Sequence, residues 1–424
     1  MAGGGFLPIF EECKDGEIGN RTILHSDLNN FFASVEIARD PSLAQFPVAV
    51  CGSIEERHGI VLAKNYIAKS FGVKTGETIG SALSKCPMLK ITEPHYDDYE
   101  EISHRVRKIY LGITDLVENF GIDECWLDVT GSQYLFGGGE AIANRLREEV
   151  FRQENITVSV GVSFCKVFAK LGSDMKKPNA VTVIPKNTFR EKIWDLPVGD
   201  MLGVGPATEK KLAERSVRTI GQLAKTPPEL LHSYFGKIGR MLWAYANGLD
   251  ASPVHNISYQ SEVKSIGHGT TPSADLACDE DVESLMVGLV IDIGHKLRRL
   301  GLRAGGVAIS LRDNALTTRE FSAKMPRPTQ SAIVLAREAF ALYCRSYDRS
   351  RPLRSLSVKA TYLEPFGAPR QLDIFEPSEA EDKAIRLCEA MDDIRERFGS
   401  DAIVPANSLT REKIKEFGFG AVKG

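Results

Sequence analysis

The sequence lacks paired cysteines, long apolar runs and a secretion signal. Its eight cysteines are scattered and none forms a C-x-x-C pair, which argues against a structural zinc site and against a disulfide framework. It has no stretch of about 18 apolar residues, the length that a membrane-spanning helix needs. The N-terminus also lacks the order of a signal peptide, a basic segment followed by an apolar one. These absences predict a soluble, cytoplasmic protein with no membrane partner.

The chain also has little net charge. The formal value is −3 over 424 residues, which excludes a uniformly basic nucleic-acid binder. The charges are segregated, however. Residues 296–363 hold 14 Lys and Arg against 4 Asp and Glu, a net charge of +10, whereas residues 1–295 carry −9 and residues 364–424 carry −4. One segment could therefore bind a polyanion, although the average charge conceals it.

The spacing of apolar residues predicts several domains, as expected at about 100 to 200 residues per domain. After a Gly-rich leader, strands and helices alternate in a way that is typical of an α/β core. The predicted strands are Thr22–Asp27, Phe46–Cys51, Gly59–Ala63, Phe120–Val129 and Thr157–Ser163. The main predicted helices of this core are Tyr96–Val117 and Glu140–Gln153.

A helical unit follows, and after Gly248 a stretch that is poor in apolar residues is predicted to be a linker. The remainder predicts a second, α+β unit with a strand after residue 263, two helices and two more strands. These helices are Val282–Leu300 and Thr329–Tyr347, and these strands are Gly306–Leu311 and Leu353–Tyr362. Several prolines after Glu364 indicate an extended tail, in which Ala380–Phe398 has the spacing of an amphipathic helix.

Carboxylates mark two places in the α/β core. Asp27 ends an apolar strand, and Asp123 and Glu124 interrupt another one. Buried carboxylates are costly unless a cation compensates them, and three of them on two strands would suit a pair of Mg²⁺ ions about 4 Å apart. Spacing alone leaves an alternative open, in which Asp123 and Glu124 lie in a solvated hairpin turn.

Three segments carry a resemblance that is more specific than this spacing. They are Ser26–Glu36 (SDLNNFFASVE), Ile122–Asp128 (IDECWLD), and the stretch from Gly161-Val162-Ser163 through Lys166 and Lys170 to Lys177-Pro178-Asn179. In sequence, order and separation they resemble the Y-family lesion-bypass DNA polymerases of the polymerase IV type. The similarity extends from about Thr22 to Tyr362.

The resemblance implies a right-hand polymerase of mixed α/β and α+β fold. After a leader (1–21), the palm would comprise residues 22–30 and 95–184, and the fingers residues 31–94. The thumb would be residues 185–252 and the linker residues 253–262. The little finger, a separate DNA-binding domain, would be residues 263–365, and the tail residues 366–424.

The resemblance also implies the catalytic site. Asp27, Asp123 and Glu124 would be the catalytic, metal-binding carboxylates, and the backbone carbonyl of Leu28 would be a further ligand of two Mg²⁺ ions. Asp128 is interpreted as structural. Phe32 would be an aromatic steric gate against the 2′-hydroxyl of a ribonucleotide, with Phe31 beside it; the alternative for both rings is core packing.

The triphosphate of a deoxynucleotide would be bound by Tyr66 and Lys69 from one side and by Lys177 from the other. The family motif here is Tyr-x-Ala-Arg, and this chain has Lys69 in place of the Arg, which exchanges a bidentate fork for a point charge. Ala63 and Cys165 also stand where many relatives have polar residues. Weaker nucleotide binding is therefore expected, unless Lys64 or Lys74 compensates.

The resemblance further implies contacts with primer-template DNA and with a bacterial sliding clamp. Gly203, Gly205 and Lys210 belong to a helix-hairpin-helix-like element of the thumb, and a helix-terminating turn is the alternative. Arg298, Arg299 and Arg303 lie in the basic little finger. The tail residues Gln371, Leu372, Ile374 and Phe375 resemble a clamp-binding peptide; alternatively their apolar side chains pack on the protein itself.

The sequence as a whole predicts a monomeric, template-directed DNA polymerase that bypasses lesions with low fidelity, because no segment suggests a proofreading nuclease. Two alternatives belong to other classes. One is a non-catalytic, clamp-recruited DNA-binding protein, which would not need the three carboxylates. The other is a nucleotidyl cyclase, which would need neither the hairpin element nor the stretch 296–363 with its net charge of +10.

Overall fold

The computed structural model describes residues 21–53, 59–259, 261–369, 379–399 and 402–404. The backbone divides into two compact units. Of the described residues, 21–52 and 60–259 form one unit, and 261–369, 379–399 and 402–404 form the other, together with residues 53 and 59. The finer boundaries of palm, fingers, thumb and little finger remain predictions.

The described residues contain twelve strands in three sheets. In chain order they are β1 (Ile23–Leu28), β2 (Val48–Cys51), β3 (Val61–Lys64), β4 (Lys90–Thr92), β5 (Val117–Asn119), β6 (Glu124–Asp128), β7 (Val158–Ser163), β8 (Val181–Ile184), β9 (Ile266–Thr270), β10 (Leu302–Asp313), β11 (Thr318–Thr329) and β12 (Leu353–Pro365).

The same residues contain fifteen α-helices. They are α1 (Phe31–Arg39), α2 (Tyr66–Ser70), α3 (Ile79–Lys85), α4 (Tyr96–Leu111), α5 (Gln133–Phe136), α6 (Gly139–Glu154), α7 (Lys166–Met175), α8 (Phe189–Ile193), α9 (Pro206–Ala213), α10 (Ile220–Lys225), α11 (Pro228–Phe235), α12 (Lys237–Ala246), α13 (Asp279–Arg299), α14 (Ala332–Ser346) and α15 (Glu379–Phe398). No helix in this part of the chain is both long and apolar enough to cross a membrane.

Strand β1 lies in the middle of a five-stranded sheet with the order β5-β6-β1-β7-β8. It pairs antiparallel with β6 and with β7. Both of its faces are covered: Leu24 packs in one cluster with α4 and α6, whereas Ile23 packs in another with Ala169 of α7. All six residues of β1 are consequently buried, and this agrees with the short apolar run in the sequence.

Helix α7 lies against β7 because residue 161 is a glycine. A Cβ at Gly161 would lie 1.9 Å from the backbone oxygen of Ala169, so any side chain there would push the helix away. Helix α7 carries Lys170, and Lys177 follows its end. Gly161 therefore sets how closely these two lysines approach β1.

The rest of the first unit comprises a small sheet and a helical part. The small sheet has the order β3-β2-β4, and α2 and α3 contribute to its buried cluster. Helices α8 to α12 share a separate hydrophobic cluster with α7.

The second unit contains a four-stranded antiparallel sheet with the order β11-β10-β12-β9. Helices α13 and α14 pack on one face of this sheet, where Val307, Ile309 and Val358 belong to their common core. The register places Ala308 beside Ser322 and Lys359, and Gly306 beside Lys324 and Thr361. These residues belong to the other face, which is named the open face here and also includes Ser310, Arg312, Glu320, Ser355 and Ser357.

Three sequence predictions differ from the observed elements. Strand β11 was not predicted, because polar residues dominate Thr318–Thr329 and two prolines interrupt it. The helix predicted for Tyr96–Val117 ends at Leu111, before Gly112. The strand predicted for Phe120–Val129 begins later, as β6 at Glu124, because residues 120–123 form the turn of a hairpin with β5, in which Gly121 has a φ of 92°.

The predicted amphipathic helix of the tail is present as α15, but two residues of its predicted apolar stripe are exposed and a residue outside the stripe is buried. Cys388 is buried in the core shared with α13 and α14. Leu387 and Phe398, which belong to the predicted apolar stripe, are 51% and 75% exposed. Helix α15 is therefore a packed part of the second unit, and the extended tail that the prolines indicated does not include it.

Candidate active site

Strand pairing places the predicted carboxylates together. Asp27 lies directly opposite Glu124 in the register of β1 and β6. The backbone N–H of Leu28 donates to the carbonyl of Asp123 at 3.0 Å, so this residue also lies at the end of β1. Asp123 occupies the hairpin turn, as one alternative supposed, but it is only partly exposed. Glu124 is likewise only partly exposed, whereas Gly121 of the same turn is exposed.

Two lysines from α7 and the loop after it neutralise these carboxylates. Lys177 Nζ lies 2.7 Å from Asp27 Oδ2, and Lys170 Nζ lies 2.7 Å from Glu124 Oε1 and 3.6 Å from Asp27 Oδ2. Asp174 contacts both ammonium groups, at 3.3 Å and 2.9 Å. The resulting cluster of alternating charges extends from β1 and β6 to the C-terminal end of α7.

The pKa values of the cluster reflect burial and neighbouring charge. Burial, followed by the charges of Glu124 and Asp27, raises the pKa of Asp123 to about 6. Burial also raises the pKa of Asp27, although the contact with Lys177 opposes this effect. For Lys177, burial favours a lower pKa, but Asp27 and Asp174 outweigh it and raise the pKa above its usual value. The site therefore concentrates buried negative charge, and nearby cations are needed to keep these carboxylates ionised.

The donor set suits a hard divalent cation, since carboxylate and carbonyl oxygens are the ligands that Mg²⁺ prefers. Glu124 Oε2 is buried and makes no hydrogen bond; His25 Nε2 lies 3.4 Å from it. Burial lowers the pKa of His25 well below its usual value, so this imidazole adds no positive charge. In the part of the chain that the structure describes, no three His, Cys, Asp or Glu side chains are arranged as a ligand set. The physical reason is that Asp27 and Glu124 are directed toward the ammonium groups of Lys177 and Lys170.

The two aromatic residues after β1 have different environments. Phe31 is 3% exposed and belongs to the core cluster of the sheet, so core packing accounts for it. Phe32 is only partly buried and stacks on Tyr99, with ring centroids 4.2 Å apart and planes at 11°. The Tyr99 hydroxyl donates to the buried carboxylate of Glu36. One face of Phe32 is thus supported by a ring that is itself held in place.

Tyr66 and Lys69 lie on α2. Burial raises the pKa of Tyr66, and the charges of Lys177 and Asp27 are close enough to influence it as well. Lys69 is exposed, and its ammonium lies 5.6 Å from the centre of the Tyr66 ring. Lys64 is bound to the hydroxyl of Thr75 at 3.0 Å, and Lys74 is exposed.

Ala63 lies on β3, and Cys165 is completely buried before α7. The predicted hairpin element contains a turn with Gly203 at a φ of 89°. Gly205 then caps the start of α9, which carries the exposed Lys210.

Two of the three arginines predicted to bind DNA are already engaged within the second unit. Arg298 is bidentate to Asp392 of α15, with distances of 2.7 and 3.0 Å, and also donates to the carbonyl of Gln330. Arg303 pairs with Glu364 and donates to the carbonyl of Ala368. Both guanidinium groups are buried, so they do not form an open cationic surface, whereas Arg299 is exposed.

Sequence reasoning missed three residues of the site. Lys170 contacts Glu124 directly, and Asp174 contacts the ammonium groups of Lys170 and Lys177. Lys170 belongs to one of the segments that carry the resemblance, but its position in the sequence does not show this contact. Asn29 is the third. It is 1% exposed, and its side chain makes four hydrogen bonds to three residues around the end of β1. The predicted clamp-binding residues Gln371, Leu372, Ile374 and Phe375 lie outside the described residues.

Comparison with known protein families matches three parts of the chain. Residues 26–174 match the impB/mucB/samB family, and residues 263–374 match its C-terminal domain. Residues 199–250 match the thumb domain of DNA polymerase iota. These segments contain the carboxylates, the basic stretch 296–363 and the hairpin element.

Full-length relatives extend this similarity. A DNA polymerase IV of Acetivibrio thermocellus is 48% identical over 379 residues, which cover 89% of this chain and 95% of the relative. DNA polymerase IV of Moorella thermoacetica is 38% identical, with coverage of 92% and 96%. DNA polymerase IV 1 of Bacillus subtilis is 34% identical, with coverage of 94% and 96%.

A solved structure has the same fold. A Y-family DNA polymerase chimera superposes with a TM-score of 0.71 over 80% of this chain and 98% of its own, at 23% identity. The resemblance seen in the sequence and the predicted fold class are thus confirmed. The chain belongs to the DNA polymerase IV group of the Y-family polymerases.

Proposed function

We infer that the protein is a template-directed DNA polymerase of the lesion-bypass type, which transfers a nucleotide from a dNTP to a primer 3′-hydroxyl. The observation that carries this inference is the convergence of Asp27, Asp123 and Glu124 at the end of one sheet, in a chain that belongs to this polymerase family. A non-catalytic DNA-binding protein would have no use for buried, mutually repelling carboxylates. No observation favours that alternative.

Asp27, Asp123, Glu124 and the carbonyl of Leu28 would hold two Mg²⁺ ions. When bound, such ions lower the pKa of the attacking hydroxyl and neutralise the departing pyrophosphate. Lys177, Tyr66 and Lys69 would bind the triphosphate oxygens by charge and hydrogen bonding. Phe32, supported by Tyr99, would occupy the space that a 2′-hydroxyl requires.

The lesion-bypass assignment is tested by primer extension on matched templates with and without an abasic site. We expect extension to pass the site after a pause, and the undamaged template to be copied without one. A polymerase that copies the undamaged template but stops completely before the abasic site would contradict the assignment.

The open face of the second unit is the better candidate for contacts with the DNA backbone than the helices. It presents Arg312, Lys324 and Lys359, all exposed, among small and hydroxyl side chains, with Glu320 as its acidic member. Small side chains let a duplex approach closely, and hydroxyl groups and cations bind phosphate. The thumb would add the N-terminus of α9 at Gly205 and the ammonium of Lys210.

Replacing Lys324 and Lys359 by alanine should weaken DNA binding. Each lysine that neutralises a phosphate releases a counterion, so the slope of log affinity against log salt should decrease by about 2. Equilibrium binding of primer-template DNA at several salt concentrations measures this slope. The matched control is Arg337→Ala, which removes a 73% exposed cation from α14, on the other side of the sheet. Equal slopes for the double variant and the wild type would refute the contact.

The finer partners of the protein are also part of the proposal. It would act as a monomer in the cytoplasm and be recruited by a sliding clamp through Gln371, Leu372, Ile374 and Phe375. A short peptide with a few apolar anchors is a common docking ligand.

Deletion of residues 371–375 should abolish stimulation of primer extension by the clamp and leave the unstimulated rate intact, because these residues are far in sequence from the carboxylates. Extension with and without added clamp measures both rates. Persistent stimulation would show that the clamp binds elsewhere.

A further inference from the structure

Asn29 is a buried polar residue at the point where three segments of the site meet. It follows β1 directly and is 1% exposed. Its backbone N–H donates to the carbonyl of Thr157 at 2.9 Å, and its own carbonyl accepts from the hydroxyl of Ser34 at 2.6 Å. The main chain of Asn29 thus fastens the end of β1 to the segment that leads into β7 and to the start of α1.

The carboxamide of Asn29 has a fixed orientation. Its Oδ1 accepts from the backbone N–H of Asn179 at 2.8 Å, and this partner can only donate. The Thr157 hydroxyl also donates to Oδ1 at 3.1 Å, while Nδ2 donates to Ser159 Oγ at 3.0 Å. A buried amide with these partners is satisfied and rigid.

The bond to Asn179 controls the loop that carries Lys177. Asn179 has a left-handed backbone, with a φ of 54°, and Arg147 donates to its carbonyl and its side chain at 3.2 Å. Lys177, two residues earlier, reaches Asp27 with its ammonium at 2.7 Å. The loop is therefore attached to the end of β1 twice, once through the Lys177 side chain and once through the backbone of Asn179.

These two attachments differ in what nucleotide binding would do to them. If the Lys177 ammonium binds a triphosphate, contacts with phosphate oxygens replace part of its contact with Asp27. The bond between Asn29 and Asn179 involves no atom of Lys177, so it can persist. We propose that Asn29 is a positioning residue for the incoming nucleotide, which holds the 177–179 loop so that the Lys177 ammonium faces the triphosphate. This inference rests on the proposed role of Lys177 in nucleotide binding.

Asn29→Ala tests the proposal, because it removes the acceptor of the Asn179 N–H and leaves the metal-binding groups in place. We expect the KM for the correct dNTP to rise about 10-fold and kcat to change less than about 3-fold, as for loss of a binding interaction. The affinity for dNTP of a complex with a chain-terminated primer should fall by the same factor. Asn29→Asp keeps an oxygen that accepts from Asn179, Thr157 and Ser159, and should restore most of the affinity.

A double-mutant cycle separates positioning from general damage. Lys177→Ala alone should raise the KM for dNTP, and Asn29→Ala should add less than about 2-fold to it, because Asn29 acts through Lys177. The inference would be overturned if the two substitutions multiplied their effects on the KM for dNTP in the double variant. It would also be overturned if Asn29→Ala alone left this KM unchanged. An unchanged KM in Lys177→Ala would instead refute the proposed role of Lys177.

A milder variant covers the case in which Asn29→Ala does not fold. Thr157→Val keeps the backbone contact and removes only the hydroxyl that donates to Asn29 Oδ1. It should raise the KM for dNTP about 2- to 3-fold, without effect in the Lys177→Ala background. A Thr157→Val protein that has lost thermal stability but kept the wild-type KM would contradict the proposal.

Discussion

Replacement of Glu124 by glutamine is expected to lower the rate of primer extension by about 1,000-fold or more, while the protein still folds and binds primer-template DNA. Glutamine has nearly the same size and can still form hydrogen bonds, but it has no charge with which to hold a divalent cation. Loss of a metal ligand that acts on the transferred phosphate removes several kcal/mol of transition-state stabilisation.

The position of Glu124 explains why so large an effect should come from a change of charge alone. Its Oε2 is buried without a hydrogen bond, and its Oε1 is held by Lys170 at 2.7 Å. In the Gln variant Lys170 keeps its partners Asp174 and Asp27. The fold should therefore survive, and the lost activity would be assigned to the missing charge.

The matched control is Asp128→Asn, at the other end of β6. Asp128 Oδ1 accepts from the backbone N–H of Thr130 at 2.9 Å, and the asparagine side chain preserves an oxygen for this bond. This variant should extend primers within about 3-fold of the wild type. A Glu124→Gln protein that also extends within about 10-fold of the wild type would contradict the assignment of the catalytic site.

Replacement of Phe32 by alanine is expected to decrease the discrimination against ribonucleotides by about 100-fold, since exclusion by a clash disappears when the clashing group is removed. Phe32 is the partly exposed ring of the pair, and its stacking on Tyr99 restricts its movement. The measurement is the ratio of kcat/KM for a dNTP to kcat/KM for the matching rNTP.

Two further variants make this result specific. Tyr99→Leu leaves Phe32 present but removes its aromatic support, so it should lower the same ratio by a smaller factor. Phe31→Leu alters a core residue and should reduce thermal stability with the ratio unchanged. If Phe32→Ala retains the wild-type ratio, Phe32 is not the gate.

The strands and carboxylates of the site could be predicted from the sequence because they depend on local patterns. An apolar run that ends in Asp27, and a second one interrupted at Asp123 and Glu124, indicated the sheet and a candidate cation site, whereas the catalytic assignment came from the resemblance to the Y-family polymerases. Only the strand pairing in the structure could show that Asp27 and Glu124 are direct cross-strand neighbours. The hairpin turn was only an alternative, because Phe120 and Ile122 continue the apolar pattern through it.

The roles of Lys170 and Asn29 could not be predicted because they depend on contacts between distant segments. Lys170 reaches Glu124 only because Gly161 lets α7 lie directly on β7. Asn29 gains its partners from residues that lie 128 to 150 positions further along the chain. A buried asparagine and a solvated turn asparagine have the same sequence signature.

The basic segment 296–363 shows what a net charge cannot predict about individual cations. A net charge of +10 over residues 296–363 indicated a cationic segment, but it could not distinguish a paired cation from a free one. Arg298 pairs with Asp392, 94 positions further along, and that partner belongs to a helix that was expected to lie in an extended tail. Assignment of exposed cations to the open face required the register of β10, β11 and β12.

The site formed by Asp27, Asp123 and Glu124 should perform template-directed nucleotide transfer. This is tested by single-nucleotide incorporation opposite each of the four template bases, with Mg²⁺ and with the wild-type and Glu124→Gln proteins side by side. The wild type should add the complementary deoxynucleotide in preference at each base, and the variant should add essentially none although it binds the same DNA. Incorporation by the wild type that does not depend on the template base, or incorporation by the variant at the wild-type rate, would show that this site does not carry the activity.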